Sequence, residues 1–407
     1  MAFPSFHPSR RSLLGSAGAA FAFASIPKWA SAAAARDPRF VVVILRGALD
    51  GLAAVAPIGD PAYADLHGQL ALSWDGPHPA SRLNDFFGLH PSMKQFARMY
   101  DAKQALVVHA AATDYRDRSH FDGQDVLESG LGGPGRTESG WLNRAVAALP
   151  KGENVAAPKA LAVGYTAPLV IRGPAPVLGW APSTLAAPTA DLADRLLALY
   201  THNDPVLARA LREGLDADQM ASRQGMDGVK PGGDLAKQMK TAAIGAARLM
   251  AADGGPRIAA LATDGWDTHA SEGGATGRLA QLLEGLDGVF GGFESELGDR
   301  WNDTVVLAIT EFGRTARING TVGTDHGTGT VAFLAGGALA GGRVIADWPG
   351  LAVADLYEQR DLKPTTDLRA VIKGVLADHL GLSAQVLARS VFPDTIGVAP
   401  MKGLIAA

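Results

Sequence analysis

Five polar segments of this 407-residue chain hold the side chains that could do chemistry. The first ends at Asp50. The second, 113–122, carries Ser119 and His120. The third, 263–269, carries Asp264, Asp267 and His269. The fourth, 310–315, carries Glu311 and Arg314, and the fifth delivers Asp325 and His326. Carboxylate oxygens and imidazole nitrogens are the usual ligands of divalent zinc, manganese, magnesium and calcium. A serine or threonine hydroxyl beside such a metal is a standard activated nucleophile, and both Ser119 and Thr113 qualify. A planar guanidinium suits phosphate, sulfate or carboxylate. Arg314 or Arg118 could therefore stabilise charge developing on a substrate's oxygens. There is no cysteine, which excludes thiol nucleophiles, disulfides and Cys-bound metal or iron–sulfur sites.

Each segment also has a plainer reading. Asp50, between Leu49 and Gly51, suits a turn. Asp267-Thr268-His269 could be an Asx-turn with a histidine nearby, and Arg314 could simply pair with Glu311. Asp378-His379 is another Asp-His pair, but it falls inside a helical pattern and is expected on a solvated face. Placement at strand ends is what separates the five segments from such a pair.

The elements that would position them alternate. Phe40–Leu45 is a continuous apolar run rich in β-branched residues, the pattern of a strand buried on both faces. Ala105–His109, Arg257–Ala262 and Thr304–Ile309 repeat it, with Ala160–Val163 and Val331–Leu334 as shorter candidates. Helical periodicity begins at Pro91 and recurs over Asp191–Tyr200, Leu235–Met250, Gly277–Glu296 and Leu368–Leu380. Strands alternating with helices predict an α/β fold with a mostly parallel central sheet. In such sheets, ligands bind beyond the carboxyl ends of the strands. Residues 151–190 read as a loop or small subdomain, and 214–233 as a mobile loop.

Composition narrows the class. With 47% hydrophobic and 19% charged residues, the chain is too apolar for a disordered protein. It has 37 basic and 41 acidic residues, and Arg10, Arg11 and Lys28 are the only charges in the first 35. The remainder is therefore acidic, which argues against nucleic acid as the partner. Residues 1–35 read as an address. Arg10-Arg11 precede an uncharged stretch from Ser12 to Pro27, and Ala30-Ser31-Ala32 offers a cleavage site. That stretch is short of the ~20 residues needed to span a bilayer, so no stable membrane insertion is expected.

The address resembles a twin-arginine export signal, with Leu13 where phenylalanine is common. The resemblance implies folding before passage through the twin-arginine translocase and a periplasmic or secreted destination. The rest of the chain has no fixed-period repeat and no clean boundary, so one mature domain over 36–407 is expected. Arg46-Gly47-Ala48-Leu49-Asp50-Gly51-Leu52, Arg118-Ser119-His120-Phe121-Asp122, Gly140-Trp141-Leu142, Glu311-Phe312-Gly313-Arg314-Thr315 and Gly323-Thr324-Asp325-His326-Gly327 resemble an exported bacterial family. That family carries a domain-of-unknown-function label and is grouped with the alkaline-phosphatase/sulfatase superfamily. The resemblance implies a three-layer α/β/α fold and a divalent metal. It places Asp50, Asp264 or Asp267, His269, Asp325 and His326 at the metal and Ser119, with His120, at the nucleophile. Phe312 stands where superfamily enzymes often carry a ligating histidine, so one metal or none is expected rather than two.

Two functions follow from these residues. One is a metal-dependent hydrolase or transferase acting on a small or polymeric phosphate, sulfate or related ester. The other is a non-catalytic periplasmic binding or assembly protein that keeps the fold. Acyl transfer by a Ser/His/Asp triad is disfavoured by the absence of a G-x-S-x-G elbow.

Overall fold

The strand Arg39–Leu45 (β1) is buried along its whole length, and its alternate residues feed two different cores. Val41, Val43 and Leu45 pack on one face, and Phe40, Val42 and Ile44 on the other. A period of two in an all-apolar strand is what a sheet covered on both sides requires. The computed structural model describes residues 37–149, 160–183, 190–226, 229–230 and 232–406. The expected export signal lies outside them. Pro38–Ala407 forms one compact unit.

In chain order the remaining strands are β2 (Val55–Ala56), β3 (Ser81–Arg82), β4 (Gly88–Leu89), β5 (Ala105–Ala112), β6 (Ala160–Val163) and β7 (Val177–Trp180). They continue with β8 (Ile258–Thr263), β9 (Thr304–Ile309), β10 (Thr330–Ala335), β11 (Arg343–Ile345) and β12 (Thr366–Asp367). The helices that matter here are α1 (Gly51–Ala54), α2 (Tyr63–His67), α3 (Lys94–Asp101), α4 (His120–Ser129) and α5 (Trp141–Ala148). They are followed by α6 (Ala190–Asn203), α7 (Pro205–Arg223), α8 (Leu235–Ala251), α9 (Arg278–Leu297) and α10 (Leu368–Asp378).

Among the described residues nine strands form the main sheet in the order β11-β5-β10-β9-β1-β8-β6-β7, with β12 added to β5. All neighbours are parallel except at β10, which runs against both β5 and β9. Phe96 of α3, Met239 of α8 and Phe290 of α9 fill one face. Trp141 of α5 and Leu368, Val371 and Val375 of α10 fill the other. The result is the predicted three-layer α/β/α arrangement with a mostly parallel sheet. A small sheet, β2-β4-β3, lies apart from it.

The reversed strand has a consequence for the site. The segment delivering Asp325 and His326 precedes β10 rather than following a strand. Because β10 is antiparallel, its start lies at the same edge as the ends of β1, β8 and β9.

The structure corrects several local expectations. β5 continues to Ala112, so His109 lies inside the strand and is fully buried. Of the supposed mobile loop, the part up to Arg223 is helix α7, capped by Asp204 with Pro205 in its first turn. Within 151–190 the described residues add the strand β7, whose weak apolar pattern gave no signal. His379 is not on a solvated face. It is buried, with Nε2 2.9 Å from the Arg39 carbonyl oxygen, because it closes α10 over the start of β1. Among the described residues no helix is long and apolar enough to cross a membrane.

Candidate metal centre

Two loops and one helix start converge at the sheet's ligand-binding edge. α4 presents His120 in its first turn and ends at Gly130 in the left-handed conformation. The loop after β8 presents Asp267 and His269. It is anchored by buried Trp266, whose Nε1 donates to Thr263 Oγ1 at 3.1 Å. The loop before β10 presents His326. These loops lie against one another only because glycines let them. Gly47 has φ +121°, and a Cβ there would sit 2.4 Å from the Asp267 nitrogen. At Gly323 a Cβ would sit 2.4 Å from the His269 carbonyl carbon.

One ligand atom each from His120, Asp267 and His326 lie within 4.8 Å of one another. Asp267 Oδ2 is 3.5 Å from His120 Nε2, and Asp267 Oδ1 is 3.5 Å from His326 Nε2. His269 joins them, its Nε2 3.2 Å from Asp267 Oδ1 and 2.9 Å from His326 Nε2.

The far side of each imidazole explains its orientation. His120 Nδ1 lies 2.8 Å from Glu311 Oε1, His269 Nδ1 3.1 Å from Asp325 Oδ1, and His326 Nδ1 2.9 Å from the Arg118 carbonyl oxygen. All three partners are acceptors, so each Nδ1 carries the proton. In the neutral ring that leaves a lone pair on Nε2. The Nε2 atoms of His120 and His326 therefore face the Asp267 carboxylate, His269 Nε2 lies beside Asp267 and His326, and the buried His120 Nε2 has no hydrogen-bond partner. Ligating histidines are oriented in this way, by carboxylates and carbonyls on the opposite nitrogen.

The carboxylates are tuned by their own neighbours. Burial pushes the Glu311 carboxyl up, but hydrogen bonds from His120, Gln124 and the Gly47 nitrogen outweigh it and hold it below the usual range. Burial likewise opposes ionisation of Asp267, and the Arg314 guanidinium, 2.8 Å away, overcomes it and lowers the pKa. The Glu311 hydrogen bond raises His120 against the effect of burial. Burial, then the neighbouring His120 and Arg314 charges, lower His326.

Not every candidate residue reaches the group. Asp264 is exposed and stands outside it. Asp325 touches His269 on its outer nitrogen. Asp50 lies elsewhere, fully buried. Its Oδ1 accepts from the Leu52 and Ala53 nitrogens and so caps α1. Glu311 and Arg314 act through other side chains. Arg314 is 1% exposed, and its donors go to Asp267, Thr324 Oγ1 and the Thr324 carbonyl. Arg118 is held by Asp361 and Glu358. Ser119 is half-buried at the start of α4, and its side chain makes no capping bond. Thr113 is buried, its hydroxyl accepting from the Tyr115 nitrogen.

Phe312, which cannot bind metal, stacks on His120 with centroids 5.1 Å apart and walls the group. Gln124 was missed by sequence reasoning, although its spacing from His120 places it one helical turn on, on the same face.

A family model described as a protein of unknown function, DUF1501, matches residues 37–391. The chain belongs to that family. No curated protein matches the DUF1501 chain. Among solved structures it is similar to Ps i-CgsB in complex with k-i-k-neocarrahexaose, at 11% identity and TM-score 0.40, covering 89% of this chain and 77% of that one. It is similar to the PsFucS1 sulfatase from Pseudoalteromonas sp., at 11% identity and TM-score 0.35, covering 83% and 68%. The phosphonate monoester hydrolase of Agrobacterium radiobacter gives 10% identity and TM-score 0.34, covering 85% and 74%. These scores are low, and the chemistry of the DUF1501 chain has to be read from its own residues.

Proposed function

We propose that this chain is an exported hydrolase or transferase that acts on a phosphate, sulfate or related ester. A divalent metal would be held by His120, Asp267 and His326, with His269, beside Asp267 and His326, as a fourth candidate. The observation that supports the metal is that His120 and His326, each with Nδ1 held by an acceptor, bring Nε2 within 4.8 Å of each other and of Asp267. His269 Nε2 and His326 Nε2 lie 2.9 Å apart, and a cation there would replace the proton that otherwise joins them. Imidazole-rich donors favour zinc over magnesium, calcium or manganese, which prefer oxygen. A metal so bound supplies Lewis acidity toward an ester oxygen.

The chain's own residues have separable tasks in this reading. Glu311 and Gln124 fix the His120 ring, and Phe312 braces its face. Arg314 keeps Asp267 ionised and aimed at the group. Ser119, next to His120 and not engaged as a helix cap, is the nucleophile. Export through the twin-arginine translocase to the periplasm or beyond rests on Arg10-Arg11 and the uncharged stretch after them.

Elemental analysis of the purified, exported form tests the metal. Stoichiometric zinc in the wild type, lost in Asp267→Ala and His326→Ala, is expected. Absence of metal even after supplementation overturns the reading and favours a non-catalytic binding protein. Aryl phosphates, phosphodiesters and sulfates then test the chemistry. Full turnover by Ser119→Ala would transfer the nucleophile's role to Thr113.

A further inference from the structure

Behind the candidate centre lies a second, fully buried polar cluster that the proposed chemistry does not use. Asp50, His67, Glu272 and Thr324 are each at most 1% exposed. Three of their polar atoms, Asp50 Oδ2, His67 Nε2 and Glu272 Oε1, make no hydrogen bond. Buried polar atoms left unpaired are costly, and each needs an account.

The remaining atoms define the problem. Asp50 Oδ1 is fully used by two backbone N–H groups. His67 Nδ1 lies 3.1 Å from the Ala316 carbonyl oxygen, so it donates there, while Nε2 faces Asp50 Oδ2 at 3.4 Å. Glu272 Oε2 accepts from Thr324 Oγ1 at 2.8 Å. Its other oxygen, Glu272 Oε1, is buried without a partner, as is Asp50 Oδ2, and the Asp50 charge acts on the Glu272 carboxyl. Two ionised carboxylates facing one another in a dry interior repel. One proton between them pairs Glu272 Oε1 with Asp50 Oδ2, and a charged His67 then donates its Nε2–H to the same carboxylate. All three orphan atoms are satisfied. The local charges also balance, with Asp50 and Asp267 negative and His67 and Arg314 positive.

We propose that Glu272 is a positioning residue that stays protonated, shares that proton with Asp50, and through Thr324 fixes Arg314 behind Asp267. The geometry makes the route explicit. A neutral Glu272 leaves Oε2 as an acceptor, which commits the Thr324 hydroxyl proton to it. The Thr324 oxygen then accepts from Arg314 Nε at 3.3 Å while the Thr324 carbonyl takes Nη2 at 2.7 Å. That leaves Nη1 for Asp267. Desolvation first, and then the Asp50 charge, push the Glu272 carboxyl well above the ordinary carboxylate range, against the opposing pull of Arg314. Tyr63, stacked on His67 with centroids 5.2 Å apart, closes the cluster on its far side and stays protonated, as burial raises its hydroxyl. The link to Asp267 rests on the proposed metal reading, whereas the shared proton does not.

The experiment compares wild type, E272Q and E272A by infrared spectroscopy and thermal unfolding at neutral pH, with metal content measured separately. A protonated-carboxyl band that resists deuterium exchange in the wild type and vanishes in E272Q is expected. Glutamine can donate to Asp50 and accept from Thr324, so E272Q should melt with the wild type and E272A well below it. Metal uptake should survive in E272Q and fall in E272A. No protonated-carboxyl band overturns the proposal. So does an E272Q variant that melts far higher, as relief of carboxylate repulsion would cause, or as low as E272A. If the wild type takes up no metal, the infrared and melting comparisons still decide the shared proton.

Discussion

His120 Nδ1 and Glu311 Oε1 lie 2.8 Å apart, joining the first turn of α4 to the residue two beyond the end of β9. Glu311 also takes the Gly47 nitrogen at 2.8 Å and Gln124 Nε2 at 3.0 Å on the same oxygen. Its other oxygen takes the Thr310 hydroxyl at 2.9 Å. One carboxylate thus sets both a ring orientation and the course of the loop after β1. Loss of such an outer partner typically costs about 10–100-fold in metal affinity. Glu311→Ala is expected to weaken metal binding by that factor, read by competition with a chromophoric chelator. Unchanged affinity would mean that His120 is oriented by its stack on Phe312 alone.

Gly47 carries a different kind of constraint. Its backbone lies at φ +121°, and an added Cβ would approach the Asp267 nitrogen to 2.4 Å and the Trp266 carbonyl carbon to 2.9 Å. Both contacts are backbone, so no side chain can swing aside. Strain of this kind costs on the order of 1–3 kcal/mol before any steric displacement is counted. Gly47→Ala is expected to lose at least about 2 kcal/mol in urea unfolding and to lose metal by displacing Asp267. A variant as stable as the wild type would show that the loop shifts freely.

The strands of the centre were legible because their chemistry is local. β1, β8 and β9 are apolar runs that stop at polar residues, and the ends of β8 and β9 carry Asp267 and Glu311. What could not be read was relative orientation. β10 looks like any short apolar strand, yet its antiparallel placement is what brings His326 to the right edge. Nor does sequence spacing separate Asp264 from Asp267, three residues apart on one loop, of which only the second turns inward. The pairing of Asp50 with His67 and Glu272 is tertiary throughout. It joins a helix cap, the end of α2 and a loop more than two hundred residues away, and no local pattern announces it.

The contrast between Asp264 and Asp267 can be tested directly. Asp264 is exposed, whereas Asp267 contacts Arg314 and all three imidazoles. Asp264→Ala is expected to keep metal content and melting temperature, since surface changes usually stay within about 0.5 kcal/mol. His269→Ala should lose metal while keeping the fold, because His269 is half-exposed and its removal leaves no cavity. Metal loss in Asp264→Ala would bring that carboxylate back to the centre.

His109 provides a pH dependence remote from the centre. It is completely buried in β5, stacked on Phe87 and edge-on to Trp348. Nε2 lies 2.9 Å from the Val55 carbonyl oxygen, and Nδ1 accepts from the Ala110 nitrogen at 2.8 Å. Both ring nitrogens are therefore satisfied by the neutral form, and a second proton would face an N–H donor. Burial pushes the pKa down to about 4 from 6.5. The unfolded chain binds this proton first on acidification, so the contribution to stability is intact above about pH 6.5. It is lost progressively as the pH falls toward 4, amounting to about 3 kcal/mol in full. His109→Gln keeps a donor but cannot titrate. Its destabilisation relative to wild type should therefore shrink by about 2 kcal/mol between pH 7 and pH 5, measured by urea unfolding at each pH. A difference that stays constant across that range would mean the native ring accepts the proton, and that the contact with the Ala110 nitrogen does not exclude it.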